Sequence, residues 1–181
     1  MSIDKNYLRM YYKNGTFQAD PTDPLKEDWK MVDAIILKKL RPLAARVRQS
    51  AICYRNFKVG AAAVGFTADG MARVFVGANK RVDKTHPKNC AEMQIMRAAK
   101  KAKAQLAIIV IIGKRNEDNG SGLKPKTLHP CDKCRAIMRR HIRQGTGVIT
   151  PKTKIVSVRP ACPVMEELTV EQLMQYHGES L

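Results

Sequence analysis

Acidic residues are scarce in this chain. Only 16 Asp and Glu stand against 33 Lys and Arg in 181 residues, a formal net charge of +17. From Ala34 through Ala68 there is no acidic residue, while Lys38, Lys39, Arg41, Arg46, Arg48, Arg55 and Lys58 all fall there. Such a field draws in polyanions and opposes self-association at low salt. Aromatics are also few, at 6%, so no row of base-stacking platforms for single strands is evident. Long apolar runs are missing, which excludes a membrane-spanning helix of about 20 residues. Met1 to Gly15 is polar and has no apolar core of a secretory leader.

What the chain does have is helix and strand periodicity. Residues 1–24 read as a polar, basic, partly extended arm, punctuated at its end by Pro21 and Pro24. Residues 25–181 read as one domain, large enough to bury a proper core. Trp29, Val32, Ile36, Leu40, Leu43 and Val47 recur at three- and four-residue steps, which predicts a helix over 25–49. Trp29 is expected in the core, and Pro42 to kink or break the helix. Residues 58–66 and 72–76 read as a strand pair turning at Asp69-Gly70. A helix is predicted over 90–104, with Met93 and Met96 as core. The aliphatic run 106–112 reads as a strand buried on both faces. A polar loop, 114–129, is a candidate rim or lid. Then follow a helix over 131–144, a strand over 154–158, and a helix over 169–176 opened by a Thr-x-x-Gln capping box.

The chemistry sits in two short motifs. Cys90-Ala91-Glu92 opens one predicted helix, and Pro130-Cys131-Asp132-Lys133-Cys134 opens another. Two cysteines separated by two residues can aim both sulfurs at one ion from one helical turn. Cys90 brings a third from a different element. Helix N-termini favour thiolates over thiols. Three protein ligands leave zinc a fourth position for water, which marks a catalytic site. Glu92 is near enough to move that water's proton without being a ligand. A structural zinc site would instead need a fourth ligand, for which Cys53, Cys162, His86 and His129 are available. A redox pair is a further reading of Cys131 and Cys134, but it leaves Glu92 without a purpose.

Together these motifs resemble the cytidine deaminase superfamily, in the three-cysteine branch of free cytidine and blasticidin S deaminases. The similarity extends through Tyr54-Arg55-Asn56-Phe57-Lys58-Val59-Gly60-Ala61-Ala62, Val76-Gly77-Ala78-Asn79 and Thr169-Val170-Glu171-Gln172-Leu173. It therefore runs from about Leu25 to Tyr176. The resemblance implies a three-layer α/β/α fold with a central mixed five-stranded sheet. It also implies Zn2+ held by Cys90, Cys131 and Cys134, with Glu92 as general acid and base. Phe57 would pack on a pyrimidine, Asn79 would bond the ribose, and the backbone of Ala91 would orient base and water. Phe57 as plain core and Asn79 as a turn cap remain open. The activity implied is hydrolysis of a cytosine compound to its uracil form with release of ammonia. A homotetramer is implied as well.

Two departures qualify the substrate. Where free cytidine deaminases carry a Glu two positions after the Asn, this chain has Arg81, which suits an anionic group on the substrate. Where three-cysteine members often have Arg after the Glu, this chain has Met93. Arg135 is the candidate to temper the charge of three thiolates, the alternative being an exposed arginine with no role. The leading substrate is thus a cytosine-bearing small molecule. The charge supports a second reading, action on single-stranded DNA or RNA. A third is an inert nucleic-acid-binding zinc module. Thiolate ligands call for a reducing compartment, so a cytoplasmic location is expected, although basic clusters also suit a nucleus.

Overall fold

The computed structural model describes residues 12–13, 16–17, 26–53, 55–85, 87–114, 125–161 and 164–181, without side chains before Ile36. Most of the 1–24 arm, the side chain of Trp29 and most of the 114–129 loop lie outside these residues.

Helix α1 spans Lys26–Gln49. It buries Ile36 and Leu40 of the predicted stripe, with Ala44 four residues on, while Leu43 and Val47 are half-buried. The helix runs on through Pro42. Pro42 is exposed there, so the carbonyl of Lys38 that it leaves unpaired can bond water. Strands β4 (Val59–Thr67) and β5 (Ala72–Ala78) form a hairpin, with Gly70 at φ 77° in the turn. Helix α2 covers Ala91–Lys101 and ends before strand β7, Ala104–Gly113. The helix predicted to reach residue 104 stops earlier because Lys103 takes φ 51°, a conformation that ends helices. Helix α3 (Asp132–Arg143), strand β8 (Lys154–Val158), strand β9 (Met165–Thr169) and helix α4 (Val170–Tyr176) complete the fold. Both halves of the capping box form, between Thr169 and Gln172.

The strands make a mixed five-stranded sheet in the order β5-β4-β7-β8-β9, with β7 and β8 parallel and the other neighbours antiparallel. Helices cover both faces. On one, Ile36, Leu40 and Ala44 of α1 meet Ala62, Val64, Val110 and Val156. On the other, Ile95 and Met96 of α2, Met138 of α3 and Leu173 of α4 meet Ala61, Ile109, Ile111 and Ile155. Alternate residues of β7 serve opposite faces, so its uninterrupted aliphatic run is what a doubly covered strand requires. This is a three-layer α/β/α arrangement. Short pairs lie outside the main sheet: β1 (Tyr12–Lys13) with β2 (Thr16–Phe17), and β3 (Ile52–Cys53) with β6 (Lys80–Arg81).

Small residues in β4 set how near α1 can come. A Cβ on Gly60 would lie 2.3 Å from the Ala44 carbonyl oxygen and 2.5 Å from the Arg48 nitrogen. Both are backbone atoms of one helical turn, so relief would require the helix to move off the sheet. Gly60→Ala is expected to destabilise the protein by about 1–3 kcal/mol, the usual cost of overpacking. Urea unfolding with an unchanged denaturant slope checks this.

Candidate active site

Two crossover connections decide where the motifs fall. β5 leads to α2 and on to β7; β7 leads to α3 and on to its parallel neighbour β8. Both helices therefore begin beyond the carboxyl ends of strands on one side of the sheet, the usual place for a site in such folds. Cys90 caps α2 and Cys131 caps α3, both in extended backbone, and neither uses its side chain to bond the helix end. Cap positions favour Ser, Thr, Asp or Asn because those side chains bond the free amides. Cysteines in this place have their sulfurs available for something else.

That something is each other. The Cys90 and Cys131 sulfurs are 3.6 Å apart, as are those of Cys131 and Cys134. All three Sγ atoms lie within 4.8 Å of one another. Zinc–sulfur bonds of about 2.3 Å in a tetrahedron put sulfurs about 3.8 Å apart, so the spacing fits a shared zinc ion. Hydrogen bonds from the neighbouring thiols, Cys134 first, pull Cys131 down to about 2, while its bond with Cys131 pushes Cys90 up to about 12. The same contact raises Cys134. Sulfurs this close favour a single thiolate unless a cation sits among them. Cys134 is buried and Cys131 exposed, so one side of the cluster faces solvent.

Among the described residues no fourth His or Cys joins the cluster. His129 turns away: its Nδ1 is 3.1 Å from Nε2 of His177, and its other nitrogen is 3.5 Å from Glu166. Cys53 is a free thiol outside the cluster, and His86 and Cys162 lie outside the described residues. The open three-thiolate arrangement is the one with a position to spare.

Glu92 stands in the first turn of α2 and is buried, at 4% exposure. Burial is the main cause that pushes its carboxyl up to about 7. Ala91 is fully buried. A Cβ on Gly77 would come within 2.4 Å of the Ala91 carbonyl oxygen, so the bare glycine lets β5 carry the start of α2 close against the sheet. The Gln94 amide bonds the Ala78 carbonyl and fixes the same approach.

Phe57 is half-buried and packs on the core beneath the helices. The Asn79 side chain ties down the chain ahead of β4. Its oxygen accepts from the Val59 N–H at 2.7 Å and its amide donates to the Phe57 carbonyl at 2.7 Å. One lone pair and one N–H are left over. Arg81 donates to the carbonyls of Asp83 and Lys84 at 3.2 and 3.0 Å, and so organises the loop after β6.

Arg135 is buried, which excludes the exposed arginine considered as its alternative. Its partners are oxygens: the Pro130 carbonyl at 2.8 Å, Asp132 at 2.8 Å and Glu179 at 2.8 Å. It grips the backbone just ahead of Cys131. Glu179 is joined also by Arg139 at 2.6 Å. The C-terminal residues thus support the second cysteine motif, a role the sequence does not signal, because no spacing links residue 179 to residue 135.

The family model described as the cytidine and deoxycytidylate deaminase zinc-binding region matches residues 36–146. The chain belongs to that deaminase family. Among solved structures, a cytidine deaminase from Burkholderia pseudomallei is 26% identical with a TM-score of 0.55; the match covers 75% of this chain and 94% of that one. A cytidine deaminase from Mycobacterium leprae is 26% identical with a TM-score of 0.50, covering 76% and 95%. A search of curated proteins returns no match. For this deaminase, the cysteine cluster falls inside the matched zinc-binding region, so sequence family and sulfur geometry agree on the metal.

Zinc bound through these sulfurs should be lost without Cys134. Cys134→Ala is expected to drop zinc from one equivalent per chain to near none, and Cys53→Ala to leave it unchanged, by plasma mass spectrometry. The Glu179 clamp carries a pH signature. Burial pushes Glu179 up, but Arg135 and Arg139 together outweigh it and hold the carboxyl below its ordinary value of 4.5. A depressed folded pKa adds stability that is present above the unfolded value and lost as pH falls through the folded one. Glu179→Gln is therefore expected to lower stability at pH 7 and to flatten its decline below about pH 4.5, as followed by thermal melts.

Proposed function

We propose that this deaminase hydrolyses the exocyclic amine of a cytosine-bearing, nucleoside-like small molecule to give the uracil form and ammonia. The observation that carries the reading is Glu92: a buried carboxylate two residues after Cys90, beside a three-thiolate cluster open on one side. Cys90, Cys131 and Cys134 hold the metal. When bound, zinc supplies Lewis acidity that makes water a competent nucleophile near neutral pH.

Glu92 does the proton work. It accepts a proton from the attacking water and delivers it to N3 of the ring. It then passes the second water proton to the departing amine, so that the oxygen ends on C4 and ammonia leaves. A carboxyl raised to about 7 by burial is suited to both accepting and donating near neutral pH. Phe57 packs beside the pyrimidine, and the backbone of Ala91 orients base and water. Asn79 offers its remaining hydrogen-bonding capacity to the sugar. Arg81 is assigned to an anionic substituent of the substrate. Arg135 acts by holding Pro130 and with it the cysteine loop. The cytidine deaminases of similar structure support a free nucleoside or close derivative as substrate.

The net charge of +17 favours a second reading, deamination of cytosine in single-stranded DNA or RNA. An inert zinc module would have no use for Glu92. Assembly into a homotetramer is part of the proposal by family resemblance.

The test is ammonia release by zinc-loaded protein on cytidine, deoxycytidine, their monophosphates and a cytosine-containing oligonucleotide. Glu92→Gln should lose about 10²–10⁴-fold in turnover while keeping its zinc. Turnover confined to the oligonucleotide would replace the small-molecule reading with the nucleic-acid one.

A further inference from the structure

On the sheet face away from the cysteines, α1 lies across β5, β4 and β7. A groove of about 730 Å³ opens where that cover ends. Its accessible apolar lining is Leu37, Pro42 and Ala45 of α1 with Met165 of β9, over the buried side chains of Val110, Ile112, Val156 and Val158. One wall is a face of α1 carrying Lys38, Arg41 and Arg48; the other is Arg159 at the end of β8. Positions 38, 41, 45 and 48 share one side of a helix, so the cations form a stripe along the groove. Among the described residues, none that lines it is acidic.

Two features call for an anion. Four cations face one apolar groove without a counter-charge among its described lining residues, a costly arrangement in a chain already at +17. In addition, the Arg159 Nε is buried with no hydrogen-bond partner, and such a group demands a reason. Arg48 is partly engaged, its Nε donating to the Lys58 carbonyl at 3.0 Å, which steadies it and leaves its terminal nitrogens to bind. The volume falls within the range of about 300–1,000 Å³ typical of small-molecule sites. Among the described residues no aromatic side chain lines the groove, which disfavours stacked bases of a single strand.

We propose that this groove binds an amphiphilic phosphate monoester, its apolar body against Leu37, Ala45 and Met165 and its dianionic head between Arg159 and the cations of α1. A phosphate carries about −1.5 to −2 charges and three acceptor oxygens, and so suits several cations better than a carboxylate does. Guanidinium groups match its oxygens in pairs.

Calorimetric titration of the full zinc-loaded chain with decyl phosphate, below its micelle concentration, tests this against decanoate and inorganic phosphate. Binding with one ligand per chain is expected, tighter than either comparison ligand. Arg159→Gln should weaken it by about tenfold or more. Arg41→Gln should do the same, and since Arg41 is exposed, that variant keeps its fold. Lys39→Gln should leave binding unchanged, because Lys39 is exposed on the same helix but does not line the groove. Equal weakening by Lys39→Gln would mean general electrostatics and overturn the proposal. Inorganic phosphate or decanoate binding as tightly as decyl phosphate would overturn it too. So would an oligonucleotide that displaces the probe and depends equally on Arg159.

Discussion

The structure depends on bringing two helix N-termini to one point. Helices α2 and α3 each follow a strand of the same sheet, and each presents a cysteine where a hydroxyl or carboxylate cap would normally stand. The partial positive charge of both helix ends favours the anionic sulfurs that a metal needs. Two further features serve that convergence. Gly77 removes the side chain that would hold α2 away from β5. Arg135 reaches back to the Pro130 carbonyl, and Glu179 holds Arg135 from the C-terminal residues.

Burial then separates the roles of groups that are neighbours in sequence. Cys90 and Cys131 stay partly accessible, while Glu92, in the first turn of α2, is enclosed. Enclosure raises the carboxyl into the neutral range, which is what the proposed proton transfer asks of it. A thiol and a carboxyl two residues apart thus acquire different surroundings from position alone.

Much of this was legible in the sequence. The unbroken run in β7 and the stripe of α1 follow from elementary periodicity, and the capping box of α4 formed as written. The cysteine spacing anticipated the cluster. Other parts carried no local signal. The two-residue strands β3 and β6 are too short for a pattern, and β9, Met165–Thr169, is an edge strand with two glutamates, which reads as loop. The helix expected over 90–104 overruns the observed one because Lys100, Lys101 and Ala102 are good helix formers and nothing in their types marks the turn at Lys103. Arg135 was singled out for the thiolates, yet its bonds go to Pro130, Asp132 and Glu179. That outcome turns on long-range packing of the C-terminal residues, which spacing does not reveal.

The central claim is an open three-thiolate centre. X-ray absorption at the zinc edge of the loaded protein tests it most directly. Three sulfurs at about 2.3 Å and one lighter atom at about 2.0 Å are the predicted shell. Four sulfurs, or three sulfurs with an imidazole, would close the centre and contradict the account.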